Sequence, residues 1–135
     1  MLFRIFYIHE ISLLSYIRMD GRVILNLFHI FLVAPLFLWA GFIRSNAPNF
    51  LYPTLLGLGV ILFFYQGYKA YTRFIQKSNY IWVNLIHILL IAPLLIYIGI
   101  HKKETPRPAY ELMLLAGFAV LGYHLYELAM YHDFL

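Results

Sequence analysis

The chain has 135 residues, no cysteine and a formal net charge of +4, with 63% apolar residues and 12% charged ones. A soluble domain carries roughly half apolar and a quarter charged residues, so a water-soluble globule is excluded, and the missing cysteines remove disulfides, thiolate metal sites and cysteine nucleophiles. A pI near 9.4 would suggest nucleic acid in a soluble protein, but here the cations sit at the ends of apolar runs, where they anchor lipid headgroups, so nucleic acid is set aside as a partner.

In chain order, residues 1–22 open with "MLFRIFYIHEISLLSYIR". Arg4, His9 and Glu10 break this segment below the roughly 18 uninterrupted apolar residues that a span requires, so it reads as an interfacial helix rather than a fifth span. It lacks the apolar core and small-residue cleavage site of a secretory signal. Met19 offers a second start, which would make the preceding residues an accessory extension.

Four apolar stretches follow, at residues 23–43, 54–71, 81–100 and 109–131. Each is long enough, or nearly so, to cross a hydrocarbon core of about 30 Å as a helix. The first contains "NLFHIFLVAPLFLWAGF" and the third "NLIHILLIAPLLIYIGI", 58 residues apart, with nine of seventeen positions identical. Matching Asn, His, Pro and Gly in register are uncommon choices inside a span. The second and fourth stretches echo each other through Pro53 and Pro108 and through Gly67 and Gly122, at an offset of 55. The chain therefore reads as two tandem hairpins, residues 23–78 and 79–135, forming a single membrane domain. Both hairpins enter the membrane in the same direction and are related by a pseudo-two-fold along the membrane normal. Small residues at Gly57, Gly59 and Gly67 and at Ala116, Gly117, Ala119 and Gly122 favour close helix contact. The predicted fold is all-α: a polytopic four-helix transmembrane bundle from two tandem parallel helical hairpins, with an extra N-terminal interfacial helix.

Pro35 and Pro93 each remove an amide donor, free the carbonyls of Phe31 and Leu89 and bend their helices. Trp39 and Tyr97 then fall toward the far interface as belt anchors. At about 1.5 Å rise per residue, His29 and His87 lie about 10 Å inside the membrane boundary. The second and fourth helices bring Tyr65, Gln66, Tyr68 and Lys69, and Tyr123, His124, Tyr126 and Glu127, to the same depth. Asn26 and His29 share a helical face, as do Asn84 and His87. One leaflet thus collects a polar layer of Asn26, Asn84, Lys69 and Tyr123 around the histidines, and the other is left nearly apolar.

Three roles fit this layer. Neutral histidines and asparagines can bond across helices and fix their register. His29 and His87 can act as paired axial ligands of haem b, because imidazoles on facing helices hold that cofactor. His29, His87, His124 and Glu127 supply enough ligands for zinc, and histidine titration suits proton or ion movement, although polar residues are missing from the apolar leaflet. No GxSxG, P-loop, HExxH or paired acidic motif occurs, so an enzyme is not expected. Arg18, Arg22, Lys69, Arg73 and Lys77 on the N-terminal side, against Arg44, Lys102, Lys103 and Arg107, favour both termini in the cytoplasm.

The duplicated N-L-x-H-x-x-L-x-A-P-L element, each copy followed by an aromatic and a glycine, resembles small multi-span membrane proteins of nucleocytoplasmic large DNA viruses. The resemblance covers about a third of the chain. It implies a viral membrane protein, with an internal virion membrane among its locations, and brings no catalytic residue. The expected function is structural or scaffolding in such a membrane without a bound cofactor, and a haem-, metal- or ion-binding protein is the alternative. The expected partners are the lipid bilayer, further copies of the chain, or other membrane or capsid proteins.

Overall fold

The structure, a computed structural model, describes residues 1–7 and 21–132. Among the described residues it is all helix and turn, with no strand. Four long apolar helices follow one another: α1 (Gly21–Asn46), α2 (Leu51–Ile75), α3 (Ile81–Glu104) and α4 (Arg107–Tyr131). The helical turn of α4 continues to His132. Residues 2–7 form a short exposed helix, residues 8–20 of the expected interfacial segment lie outside the described residues, and its last two residues, Gly21 and Arg22, begin α1.

The outer surface identifies the solvent. Phe31, Phe42, Phe64 and Leu89 are between 66% and 73% exposed. Water would penalise each of these side chains by about 1.5–3 kcal/mol relative to burial, whereas lipid tails do not. The four-helix bundle is a multi-pass integral membrane protein.

Tight packing does not follow the order of the hairpins. The close pairs are α1 with α4 and α2 with α3, so each pair takes one helix from either half of the chain. Glycines form the two seams. A β-carbon on Gly41 or Gly117 of the first pair would meet Leu114 or Leu38, and one on Gly99 or Gly59 of the second pair would meet Leu56 or Ile96, all with an atom within 3.0 Å. These partners correspond at 58 residues: Gly41 and Gly99, Leu56 and Leu114, Gly59 and Gly117, Leu38 and Ile96. The packing of α2 and α4 therefore follows an offset of 58, not the 55 suggested by Pro53/Pro108 and Gly67/Gly122. Gly57, Gly67 and Gly122, expected at helix contacts, face open space.

Ahead of each proline the helix changes form. In α1 the turn His29–Val33 widens to a π-helix, and in α3 the turn His87–Ile91 does the same. The Ala34 and Ala92 amides then donate to the carbonyls of His29 and His87, five residues back. An α-helical turn would drive the proline ring into the carbonyl four residues earlier, and the extra residue in the π turn relieves that collision while keeping a donor for the His29 and His87 carbonyls. Pro35 and Pro93 themselves are exposed on the outer face.

Beyond the prolines the bundle closes. Phe37, Leu51, Tyr52, Leu55, Leu95, Ile98 and Met113 are almost completely buried there. α1 and α3 end in matching turns in which Arg44 and Lys102 adopt φ 51° and 52°. The Ala47 and Thr105 amides donate to the Arg44 and Lys102 carbonyls at 3.1 Å, and the Tyr110 hydroxyl reaches the Lys102 carbonyl at 3.2 Å. Left-handed backbone at a residue with a side chain costs on the order of 1–3 kcal/mol, so the closed end holds both turns against that cost.

The glycine seams are testable by contrast. Gly99→Ala should lower thermal stability in detergent by about 1–3 kcal/mol, because its β-carbon meets Leu56 backbone rather than a side chain that can rotate away. Gly57→Ala should be neutral or stabilising, since it meets nothing and alanine favours the helix. Equal melting shifts for the two variants would contradict the seam.

Candidate functional site

The opposite half of the bundle does not close. A cavity of about 630 Å³ lies among all four helices, with Tyr65, Gln66, Lys69, Arg73, Asn84 and Tyr123 among its polar lining and Leu90, Leu94, Leu112, Leu115 and Val120 among its apolar lining. His29, His87 and His124 all open onto it. The volume falls within the roughly 300–1,000 Å³ typical of small-molecule sites, and an apolar wall with a few converging polar groups is their usual character. Ile91 and Leu94 belong both to the cavity wall and to the apolar core.

Each close helix pair is pinned by one buried asparagine. On the α1–α4 side, Asn26 is 4% exposed and its Oδ1 lies 2.7 Å from His124 Nδ1. On the α2–α3 side, Asn84 is 2% exposed, donates to Gln66 Oε1 at 2.5 Å and accepts from Arg73 Nη1 at 2.6 Å. Gln66 and His124 stand in the same relation as Asn26 and Asn84, 58 residues apart. Inside a membrane such bonds have no competing water, and a buried amide left without them is costly. The expectation that asparagine and histidine fix helix register therefore has a physical counterpart in the asparagines and His124.

His29 and His87 make no such bond. Their Nδ1 atoms lie 2.8 Å from the Leu25 carbonyl and 2.6 Å from the Val83 carbonyl, each four residues back on the same helix. A carbonyl only accepts, so Nδ1 carries the proton in both rings and Nε2 keeps its lone pair. His124 has the same tautomer where its Nδ1 donates to Asn26 Oδ1. Its ring also stacks on that of His29, with centroids 4.2 Å apart and planes 21° from parallel.

That stacking corrects the expected zinc set. A metal must lie in the plane of every imidazole that binds it, at about 2.0–2.1 Å, and two nearly parallel rings face to face do not direct their lone pairs to one point. Glu127 instead accepts from the Tyr123 hydroxyl at 3.2 Å, on its own helix. Among the described residues no three His, Asp or Glu side chains are placed to hold a metal ion. The ion-path expectation meets the closed half, where the described core is apolar.

Lys69 and Tyr123, expected in the polar layer, line the cavity. Arg73 was read from sequence only as a topology charge, yet it is the cation that bonds Asn84 and, at 3.2 Å, the Tyr80 carbonyl. Its signal was present: Gln66, Lys69 and Arg73 recur at helical spacing and share one face of α2. No protein-family model, curated protein or solved structure matches the chain.

The asparagine pins should separate from the histidines on mutation. Asn84→Ala should destabilise the bundle by about 1–2 kcal/mol, leaving Gln66 and Arg73 without a shared partner. His87→Ala should have a smaller effect, because it loses only a bond within its own helix. Thermal unfolding in detergent measures both, and a larger loss for His87→Ala would reverse the assignment.

Proposed function

We propose that this membrane protein holds an acidic amphiphile in the open half of its bundle. The observation that carries the reading is the cavity of about 630 Å³ with Lys69 and Arg73 on its polar side and Leu90, Leu94, Leu112 and Leu115 along its apolar wall. A guest with a carboxylate or phosphate at one end and an apolar body at the other satisfies both surfaces. Arg73 is already held by Asn84 and Tyr80, so it is a fixed cation. Lys69 supplies a more adjustable one. The charge distribution favours a cytoplasmic position for this end and for both termini.

A structural role is the second reading, favoured by the Asn26–His124 and Asn84–Gln66 bonds. It accounts for the pins but gives no use to the cavity or to the unengaged Nε2 atoms of His29 and His87. The correspondence of glycines, asparagines and prolines at 58 residues supports descent from one duplicated hairpin. The resemblance of α1 and α3 to membrane proteins of large DNA viruses makes a virion-associated bilayer the first membrane to examine.

The test is a fluorescent fatty acid titrated into the full chain in detergent. Saturable binding at one per chain is expected, with affinity falling about tenfold or more in Lys69→Glu, where attraction is replaced by repulsion between like charges. Unsaturable partitioning, unchanged by Lys69→Glu, would leave the structural role as the better reading.

A further inference from the structure

We infer that the amphiphile is haem b, with His29 and His87 as its two axial ligands; this rests on the cavity being a binding site for an acidic amphiphile. Haem is a flat apolar ring with carboxylates along one edge, so it matches the leucine wall and the Lys69 and Arg73 side of the cavity. The porphyrin supplies four nitrogens to its own iron. Two protein ligands therefore suffice, which is why a site without a three-residue metal cluster can hold iron in a porphyrin and not a bare zinc ion.

Both histidines meet the chemical requirement. An axial imidazole binds through one nitrogen while the other donates to an oxygen acceptor, which fixes the ring and raises its basicity. The carbonyls of Leu25 and Val83 are those acceptors, at 2.8 and 2.6 Å, and Nε2 remains open on each ring. His29 and His87 lie on α1 and α3 at the first residue of the π turns, so the same widening that accommodates each proline begins at the ligand. His124 is assigned a positioning role. Its Nδ1 is held by Asn26 and its ring lies flat against His29, which orients the ligand without converging on the same atom.

The experiment is titration of ferric haem into the purified full chain in detergent, followed by absorption and electron paramagnetic resonance spectroscopy. The expected result is a sharp Soret band saturating at one haem per chain, with a six-coordinate low-spin signal. His29→Ala and His87→Gly should each lose the low-spin signal, and added imidazole should restore it in His87→Gly, which a merely structural role would not produce. His124→Ala should keep a low-spin centre with an altered rhombicity. Loss of low-spin haem in His124→Ala but not in His29→Ala would overturn the ligand assignment. Saturable fatty-acid binding with only high-spin or non-stoichiometric haem would overturn the haem inference and leave the amphiphile reading standing. Failure of both ligands to bind saturably would overturn both.

Discussion

In a bilayer every backbone polar group must find its partner inside the protein, and α1 and α3 each carry a proline that removes a donor in mid-span. The answer in both helices is a single widened turn, in which the amide before the proline reaches back five residues instead of four. That choice shapes the molecule. On one side of the widened turns the helices close on two glycine seams and an apolar core. On the other side they leave room, and the polar side chains of all four helices face the space that results.

The two halves use different forces. The closed half depends on contact: Gly41, Gly59, Gly99 and Gly117 bring backbones close enough for dispersion to act where lipid offers no hydrophobic gain from helix association. The open half depends on direction, because a hydrogen bond fixes register where side chains no longer interlock. Asn26 and Asn84 each hold one close pair, so neither pair relies on the cavity being filled. His29 and His87, whose hydrogen bonds stay within their own helices, are thereby free of the pinning that His124 shares with Asn26.

Much of the architecture was legible in the sequence because apolar length and the spacing of Asn, His and Pro survive without any knowledge of partners. The polar layer was read from helical rise alone, and of its members Lys69, Asn84 and Tyr123 line the cavity while Asn26 is buried against His124. Pairing was less accessible. Pro53 and Pro108 suggested a register that Gly59 and Gly117 do not follow, because proline near a helix start records only where the helix begins, whereas a buried glycine records a neighbour. Gly41 and Gly99 were quoted in the repeated element but read as part of its pattern, although their conserved spacing from Pro35 and Pro93 marks the seam on the other helix of each pair. The zinc set failed for a related reason: spacing puts His29, His124 and Glu127 at one depth but does not determine ring orientation.

The exchange of partners between the two halves of the chain also sets the order in which contacts become available. The Asn84–Gln66 bond joins residues only 18 apart, across the short connection from α2 to α3, whereas Asn26 and His124 are separated by 98. During synthesis α2 and α3 can pair as soon as the connection between them is inserted. α1 must keep its asparagine and histidine in the membrane until the last helix arrives. Closing so long a loop is the slower event. The cavity therefore comes into being only at the end of assembly, when α4 docks and completes a wall that all four helices share.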